Sequence, residues 1–160
     1  MDKSMHQLLV NAVVTKDNKV LISKRSMKEE HEPGKWTIPG GKVEETKGDV
    51  WNVLELNIKK EVMEETGVKV QDKMQLICNN TFVKANGTHV VAMIFLTKWE
   101  SGEPKALEDT TDVKWIGIEE VEKYEFPVNV KDYILKGFME MKEKRTLKVE
   151  IINPGKIRII

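Results

Sequence analysis

The stretch "GGKVEETKGDVWNVLELNIKKEVMEETGV", from Gly40 to Val68, decides the prediction of fold for this chain. In its second half apolar residues recur at helical spacing, at positions 51, 54, 58 and 62, and Gly67 follows as a helix stop. We therefore predict a helix from about Asn52 to Thr66. On that helix Glu61 lies three and four residues before Glu64 and Glu65, so the three carboxylates share one flank beside the apolar stripe.

This carboxylate cluster has two interpretations. It can be an ordinary solvated face, because each i,i+4 pair of like charges costs only a few tenths of a kcal/mol and Glu-rich surfaces are common. It can also be a site for Mg²⁺, a hard cation that prefers carboxylate, carbonyl and water oxygens and keeps coordination positions open for phosphate. The helix alone favours the solvated face. The sequence on either side of the helix changes that balance.

Length and composition bound the other function classes. A chain of 160 residues that is 40% hydrophobic predicts a single domain over residues 1–160. The 26 basic and 26 acidic residues cancel, so no global field for a nucleic acid polymer or an anionic membrane is expected. Cys78 is the single cysteine, no signal peptide is visible, and the longest apolar run is too short to cross a bilayer. We expect a soluble, cytoplasmic protein.

Two pairs of β-branched apolar runs predict hairpins. "QLLVNAVVT" and "KVLISKR" flank the turn Lys16-Asp17-Asn18, and "MQLICNNTFV" and "HVVAMIFLTKW" flank Ala85-Asn86-Gly87. We expect these strands to form a mixed sheet, and a second helix is predicted from about Val130 to Lys144. From about residue 146 a C-terminal extension of unknown role begins, and its partial alternation suggests an edge strand.

The flanks "GKWTIPGGKVE" and "EETGV" resemble the Nudix hydrolases. The box of that family reads Gly, five residues, Glu, seven residues, then Arg-Glu-aliphatic-x-Glu-Glu-x-Gly-aliphatic. Aligned from its C-terminal end, the box places this chain's residues as follows: Lys60 at the family Arg, then Glu61, Val62, Glu64, Glu65, Gly67 and Val68. Lys60 lacks the guanidinium fork, so weaker loop-holding hydrogen bonds are expected there.

The front of the box departs from the family pattern. Five extra residues separate Gly41 from Lys60, and we assign the insertion to 45–50. Counting back, Asn52 falls where the family has its first Glu, and Glu44 matches a further acidic position that is common in the loop.

Three further segments resemble the MutT-like branch, whose members hydrolyse nucleoside triphosphates. "LISKRS" is similar to the strand that brings an Arg to the substrate phosphates, here Arg25. "KWESGEPKALEDTTDVKW" places Glu108 at a fourth acidic metal position. "YEFPVNV" is similar to the Phe-Pro motif and base-reading Asn of that branch, here Phe126, Pro127 and Asn129.

The resemblance implies an α/β/α sandwich around a mixed, curved sheet and Mg²⁺-dependent hydrolysis of a phosphoanhydride, with Mn²⁺ as a possible substitute. Glu61 is the first choice of general base, and Glu61 and Glu64 are the candidate catalytic pair. The candidate metal ligands are the Gly40 carbonyl, Glu61, Glu64, Glu65 and Glu108. The candidate substrate-binding residues are Arg25, Thr37, Gly40, Gly41, Lys42, Phe126 and Asn129.

Several of these residues also have simple structural interpretations. Arg25 can be a surface charge at a strand end, Glu108 can be a residue of a polar loop, and Asn129 can cap a helix. Trp36 is expected to pack rather than stack on substrate. His31 and His89 have no partner at ligand spacing, and we assign them no chemistry.

The favoured substrate is a nucleoside triphosphate, oxidised purine forms included, cleaved to the monophosphate and pyrophosphate. A small nucleotide fits the neutral chain better than a polymer or a membrane, and monomer and homodimer stay open. The alternatives are a Nudix hydrolase of ADP-ribose or dinucleoside polyphosphates, an isomerase, and a non-catalytic nucleotide-binding module. The complete carboxylate cluster argues against the module, and the absence of a Gly-x-x-x-x-Gly-Lys-Ser/Thr segment argues against a P-loop NTPase.

Overall fold

The computed structural model describes residues 5–146, 149–153 and 156–159, with side chains over residues 5–142. It contains nine described strands, two α-helices and a short 3₁₀ helix. The strands are β1 (Gln7–Lys16), β2 (Lys19–Arg25), β3 (Trp36–Thr37), β4 (Gly40–Lys42), β5 (Lys69–Val83), β6 (His89–Ser101), β7 (Thr110–Ile116), β8 (Val149–Asn153) and β9 (Lys156–Ile159). The helices are α1 (Val53–Thr66), α2 (Val130–Thr146) and the 3₁₀ helix Ile118–Lys123.

Both predicted hairpins are present. Asp17 and Asn18 connect β1 to β2 with φ of 49° and 64°, and two consecutive positive φ values match the right-handed twist of a tight hairpin. The longer β5–β6 hairpin turns through 84–88, where Gly87 has φ of 83° and the Lys84 amide donates to the Thr88 carbonyl at 2.9 Å. Local turn chemistry therefore sets the register of both strand pairs.

Strand β1 is central in the main sheet, whose path is β3-β2-β1-β6-β5. It pairs in parallel with β6 along its length and antiparallel with β2 at its C-terminal end. Its N-terminal half pairs with the short strand β4, with Asn11 opposite Gly40. Strand β7 pairs with the outer side of β2. The predicted mixed sheet is confirmed, and its pairing brings Gly40 and Gly41 beside the centre of the sheet.

The two helices cover opposite faces of the sheet. Alternate residues of a strand point to opposite faces, so each strand contributes to two separate cores. The core under α1 consists mainly of Val10, Ala12, Val14, Leu21, Ile58, Val62 and Phe95. The core under α2 consists mainly of Val13, Val20, Ile22, Ile94, Leu96, Ile134 and Phe138. The predicted three-layer α/β/α sandwich is therefore confirmed.

The helix bounds agree closely with the prediction. Helix α1 begins one residue later, because Asn52 precedes it in the left-handed region with φ of 57°, and Gly67 ends it with φ of 70°. Helix α2 begins at Val130 as predicted and continues two residues beyond Lys144, to Thr146. Within the described residues, neither helix has a segment long and apolar enough to cross a bilayer.

The prediction of an edge strand in the tail was wrong. Strands β8 and β9 pair antiparallel with each other in a separate two-stranded sheet. The second strand of the tail therefore pairs with the first instead of extending the main sheet.

Gly137 sets the distance between α2 and the sheet. A Cβ added there would lie 2.5 Å from Cγ1 of Val13, a stiff, fully buried side chain of β1. Overpacking of this kind costs about 1–3 kcal/mol, more than the roughly 1 kcal/mol that alanine gains over glycine in a helix.

We therefore expect Gly137→Ala to lower the free energy of unfolding, measured by urea denaturation. Combining it with Val13→Ala should cost less than the sum of the single changes. A Gly137→Ala variant as stable as the parent would contradict this packing.

Candidate active site

A cleft of about 760 Å³ opens beside β1, β2 and α1. It is also lined by the segment after β2, the end of β5 and the residues that precede α2. All but two of the predicted site residues line it: Arg25, Thr37, Gly40, Gly41, Lys42, Glu61, Glu65, Glu108 and Asn129. Glu64 and Phe126 do not line the cleft. The sandwich thus brings together residues that are more than one hundred positions apart in the chain.

Helical geometry separates the three carboxylates of α1. Glu61 and Glu65 are four residues apart, one turn along the helix, and both line the cleft. Glu64 is also one turn from Lys60 and lies 4.0 Å from its ammonium group, with 36% of its side chain exposed. Two of the three predicted carboxylates therefore face the cleft, and the third lies at its outer side.

Gly40 and Gly41 of β4 allow close contact with both the central strand and the helix. A Cβ on Gly40 would lie 2.2 Å from the Val10 carbonyl oxygen, so only glycine fits against β1 at this position. A Cβ on Gly41 would lie 2.5 Å from the carboxyl carbon of Glu61. The Glu61 carboxylate consequently packs directly over the Gly41 backbone, and this contact connects β4 to α1.

Two side chains of α1 hold the long loop between β4 and α1. Lys60 donates to Glu44 at 2.7 Å, which forms an ion pair between the helix and this loop. Asn57, a buried polar residue, accepts from the Glu44 amide at 3.4 Å and donates to the Val53 carbonyl at 2.8 Å. Lys60 thus holds the loop through a single ammonium contact, as expected for a lysine at the position of the family arginine.

Backbone hydrogen bonds place Glu108 near the end of α1. The Leu107 amide donates to the Glu65 carbonyl at 3.0 Å, and the Lys105 amide donates to the Thr66 carbonyl at 2.9 Å. Carbonyls at a helix C-terminus have no partner within the helix, so an adjacent extended segment can satisfy them. The polar loop that carries Glu108 is in this way fixed beside the carboxylates of α1.

The cleft raises the pKa values of two of its carboxyl groups, those of Glu65 and Glu61. Burial, followed by the charge of Glu61, raises the pKa of Glu65 to about 8, although the Gly40 backbone and the charge of Arg25 act in the opposite direction. Burial, followed by the charge of Glu64, also raises the pKa of Glu61. The last turn of α1 contains no basic residue, so the negative end of the helix dipole adds to this unfavourable field. Protein charges therefore compensate the ionised carboxylates only in part, through Arg25 for Glu65 and Lys60 for Glu61.

Arg25 and Asn129 differ in how far their polar groups are already used. The Arg25 guanidinium donates to Glu29 and to the His31 carbonyl, both at 2.9 Å, so it also organises the segment after β2. Asn129 immediately precedes α2 with φ of 76°. Within residues 5–142 its side-chain amide makes no hydrogen bond, so it does not cap α2 in the usual way and is available to a ligand.

Other cleft residues were missed by the sequence analysis. Phe82, Lys84 and Tyr133 line the cleft, and the Tyr133 hydroxyl donates to the Asn80 side chain. Phe126 instead packs at the edge of the core under α2, with its ring centroid 6.4 Å from that of Tyr124. Phe82 and Lys84 lie at the end of a long strand, where apolar alternation identifies the strand but does not show which of its ends borders a cleft.

The donor set fits a hard divalent cation, although the side chains do not enclose one. Among the described residues, no three Asp, Glu, His or Cys side chains converge closely enough to surround a metal ion. Neither Glu61 nor Glu65 forms an ion pair with any side chain of residues 5–142. Oxygen ligands from Glu61, Glu65 and Glu108 border one cleft, and such ligands suit Mg²⁺ or Mn²⁺. A bound cation would supply the positive charge that the protein does not provide.

The raised pKa of Glu65 predicts a pH-dependent stability. A carboxyl whose pKa is higher in the folded state than its ordinary value of 4.5 stabilises the fold at low pH, and this contribution is lost as pH rises toward 8. In the metal-free protein at pH 8.5, we therefore expect Glu65→Gln to raise the melting temperature by at least about 3 °C, the shift typical of about 1 kcal/mol in a chain of this size. At pH 5 the increase should largely vanish. Glu55→Gln, on the same helix outside the cleft, is the control. An increase that does not depend on pH would contradict the burial of an ionisable Glu65.

Comparisons with known proteins agree with this geometry. The model of the NUDIX domain matches residues 5–137. An ADP-ribose pyrophosphatase of Methanocaldococcus jannaschii is 28% identical over 78% of this chain and 71% of its own length. A MutT-like protein of Streptomyces ambofaciens is 29% identical over 73% of this chain and 68% of its own length. The NUDIX domain of Shewanella oneidensis NrtR, solved in complex with ADP ribose, has a similar fold, with a TM-score of 0.71 and 22% identity over 86% of this chain and 90% of that one. The chain belongs to the Nudix family and is a MutT-like hydrolase.

Proposed function

We propose that the chain hydrolyses a nucleoside triphosphate to the monophosphate and pyrophosphate, with Mg²⁺ as the cofactor and Mn²⁺ as a substitute. The observation that carries this proposal is the pair of carboxylates without an ion-pair partner in residues 5–142, Glu61 and Glu65, beside Gly40 and Gly41 of β4. Nudix hydrolases use divalent metal ions. A cation held by these residues would offset phosphate charge and lower the pKa of the attacking water.

The roles of general base and metal ligand are assigned to residues of the chain. Glu61 is the proposed general base, because burial raises its pKa and a raised pKa makes its carboxylate a stronger proton acceptor. Glu64 and Glu65 are the proposed principal metal ligands, with the Gly40 carbonyl and Glu108 completing the set. For Glu64 this requires a rotation away from Lys60, which is 4.0 Å away and only weakly paired because both side chains are well exposed.

The proposed substrate site extends from these carboxylates across the cleft. Arg25, Thr37, Gly41 and Lys42 line the cleft and are the proposed phosphate-binding residues, since a guanidinium is well suited to phosphate oxygens. Asn129 lines the same cleft and is the proposed base-reading residue, since a planar amide offers a donor and an acceptor to a purine edge. The exposed residue directly before it, Val128, also lines the cleft. Purine triphosphates, oxidised forms included, fit this arrangement.

A second candidate substrate is ADP-ribose. It is supported by the name of the Methanocaldococcus jannaschii relative and by the ligand of the Shewanella oneidensis structure. Both substrates contain a phosphoanhydride and a purine nucleoside, and they differ in the group attached to the second phosphate.

A substrate panel distinguishes the two candidates. Triphosphates, ADP-ribose and dinucleoside polyphosphates are assayed with Mg²⁺, and the products are resolved by chromatography. Monophosphate and pyrophosphate from a triphosphate support the first candidate. Exclusive turnover of ADP-ribose supports the second.

The proposed metal ligands give the first prediction for activity. Glu64→Gln and Glu65→Gln each keep the side-chain volume but remove the negative charge that a divalent cation requires. We expect kcat at fixed Mg²⁺ to fall by at least about a hundredfold in each variant, with an unchanged circular dichroism spectrum. Glu55→Gln on the same helix should retain activity within about twofold. Near-normal turnover by both ligand variants would refute the assignment.

The free amide of Asn129 gives a prediction for specificity. If this amide reads the base, Asn129→Ala should reduce discrimination between bases by roughly 1–3 kcal/mol, the scale of one unpaired polar group. The ratio of kcat/KM values for guanine and adenine triphosphates measures this change. The Mg²⁺ concentration for half-maximal rate should stay the same, since Asn129 is not a proposed metal ligand. An unchanged base preference would assign Asn129 a structural role.

A further inference from the structure

The positively charged residues of the cleft are not equivalent. Arg25 is paired with Glu29 at 2.9 Å. Lys84, at the end of β5, also lines the cleft and is partly buried. Its ammonium donates at 2.6 Å to the side-chain oxygen of Gln7, which is a neutral partner. Within residues 5–142 Lys84 forms no ion pair with a carboxylate. It therefore carries an uncompensated positive charge into the cleft.

The charges that act on Lys84 are also positive. Burial is the first cause that lowers its pKa from the ordinary value, and the charges of Lys42 and Arg25 lower it further. Like charges brought together in a partly desolvated position destabilise the free protein, so this corner of the cleft is prepared for an anion. Lys84 is well positioned for this purpose, because the hairpin turn fixes its backbone and Gln7 fixes its ammonium group.

We propose that Lys84, which lines the same cleft as Glu61 and Glu65, binds phosphate oxygens of the substrate. The proposal rests on the proposed function in one respect, namely that the ligand is a nucleotide. Anions of the phosphate class fit best, because three cationic side chains converge where each further phosphate adds negative charge. Lys84 then favours substrates with more phosphate groups over those with fewer.

The test compares three variants with the parent protein. Lys84→Met removes the charge, Lys84→Arg retains it, and Lys98→Met removes an exposed lysine of the neighbouring strand that does not line the cleft. For the best triphosphate of the panel we expect Lys84→Met to raise KM roughly five- to tenfold, the effect of one charge-assisted hydrogen bond, and to change kcat less than about twofold. The increase should be smaller for the matching diphosphate. Lys84→Arg should restore most of the loss, and Lys98→Met should behave as the parent.

A fourth variant separates phosphate binding from a purely structural role. Gln7→Ala removes the neutral partner and leaves the charge of Lys84 in place. If Lys84 binds phosphate, Gln7→Ala should raise KM much less than Lys84→Met does. If the Lys84–Gln7 hydrogen bond only fastens β5 to β1, the two variants should lower the melting temperature alike and share the same KM, which would overturn the proposal.

Calorimetric titration with inorganic tripolyphosphate in Mg²⁺ buffer tests the site without hydrolysis of a nucleotide. The proposal expects binding by the parent that weakens at least about fivefold in Lys84→Met and recovers in Lys84→Arg. Equal binding by the parent and Lys84→Met, or no binding by the parent, would contradict it. If no nucleoside triphosphate is hydrolysed but tripolyphosphate binding still depends on Lys84, the proposed substrate is wrong while the phosphate site stands.

Discussion

The contact between the Glu61 carboxylate and the Gly41 backbone is the constraint on which the rest of the site depends. Gly41 belongs to β4, which is held against the central strand by pairing with residues 9–11. Glu61 belongs to α1, which packs through Ile58 and Val62 on one face of that same strand. Two independent attachments to β1 therefore meet at one point, where a Cβ on residue 41 would displace the Glu61 carboxylate. The core thus holds the two contacting segments together, and the glycine leaves room for the carboxylate.

This arrangement gathers negative charge that the free protein neutralises only in part. Glu65 is partly buried near Glu61 with its pKa raised to about 8, and Glu108 is held nearby through backbone bonds to the end of α1. Positive charge borders the same cleft, at Arg25 and Lys84. A cleft lined by both carboxylates and cationic side chains is suited to a ligand that combines a divalent cation with phosphates. The like charges held close together in this cleft lower the stability of the free protein, and they favour binding of such a ligand.

Much of the architecture follows from local patterns in the sequence. Helix α1, both hairpins and the mixed sheet were predicted because apolar periodicity and turn residues act over a few positions. Strands β3 and β4 are only two and three residues long, too short for alternation to identify them. The pairing of β8 with β9 was missed for a different reason. Partial alternation predicts a strand but does not specify its partner.

The site was predictable where residues lie close together in the sequence and less so elsewhere. The box places Glu61 and Glu65 directly, but the turning of Glu64 toward Lys60 depends on side-chain rotamers. Phe126 was predicted near the base, yet it packs beside Tyr124 while Phe82 lines the cleft. Lys84 gave no signal, because a lysine beside a hairpin turn is common on any surface. Its significance arises only when the fold brings it near Lys42 and Arg25.

We infer that Gly41, by leaving room for the Glu61 carboxylate, lets this carboxylate contribute to a site for a divalent cation. Gly41 does not have a positive φ, so alanine at this position tests the contact with Glu61 rather than backbone strain. The most direct measurement is Mn²⁺ binding by Gly41→Ala and the parent, followed through the electron paramagnetic resonance signal of free Mn²⁺. For Gly41→Ala we expect an unchanged circular dichroism spectrum and an Mn²⁺ affinity at least about tenfold weaker than that of the parent, as for loss of a group that orients a metal ligand. Equal Mn²⁺ affinity in the two proteins would contradict it.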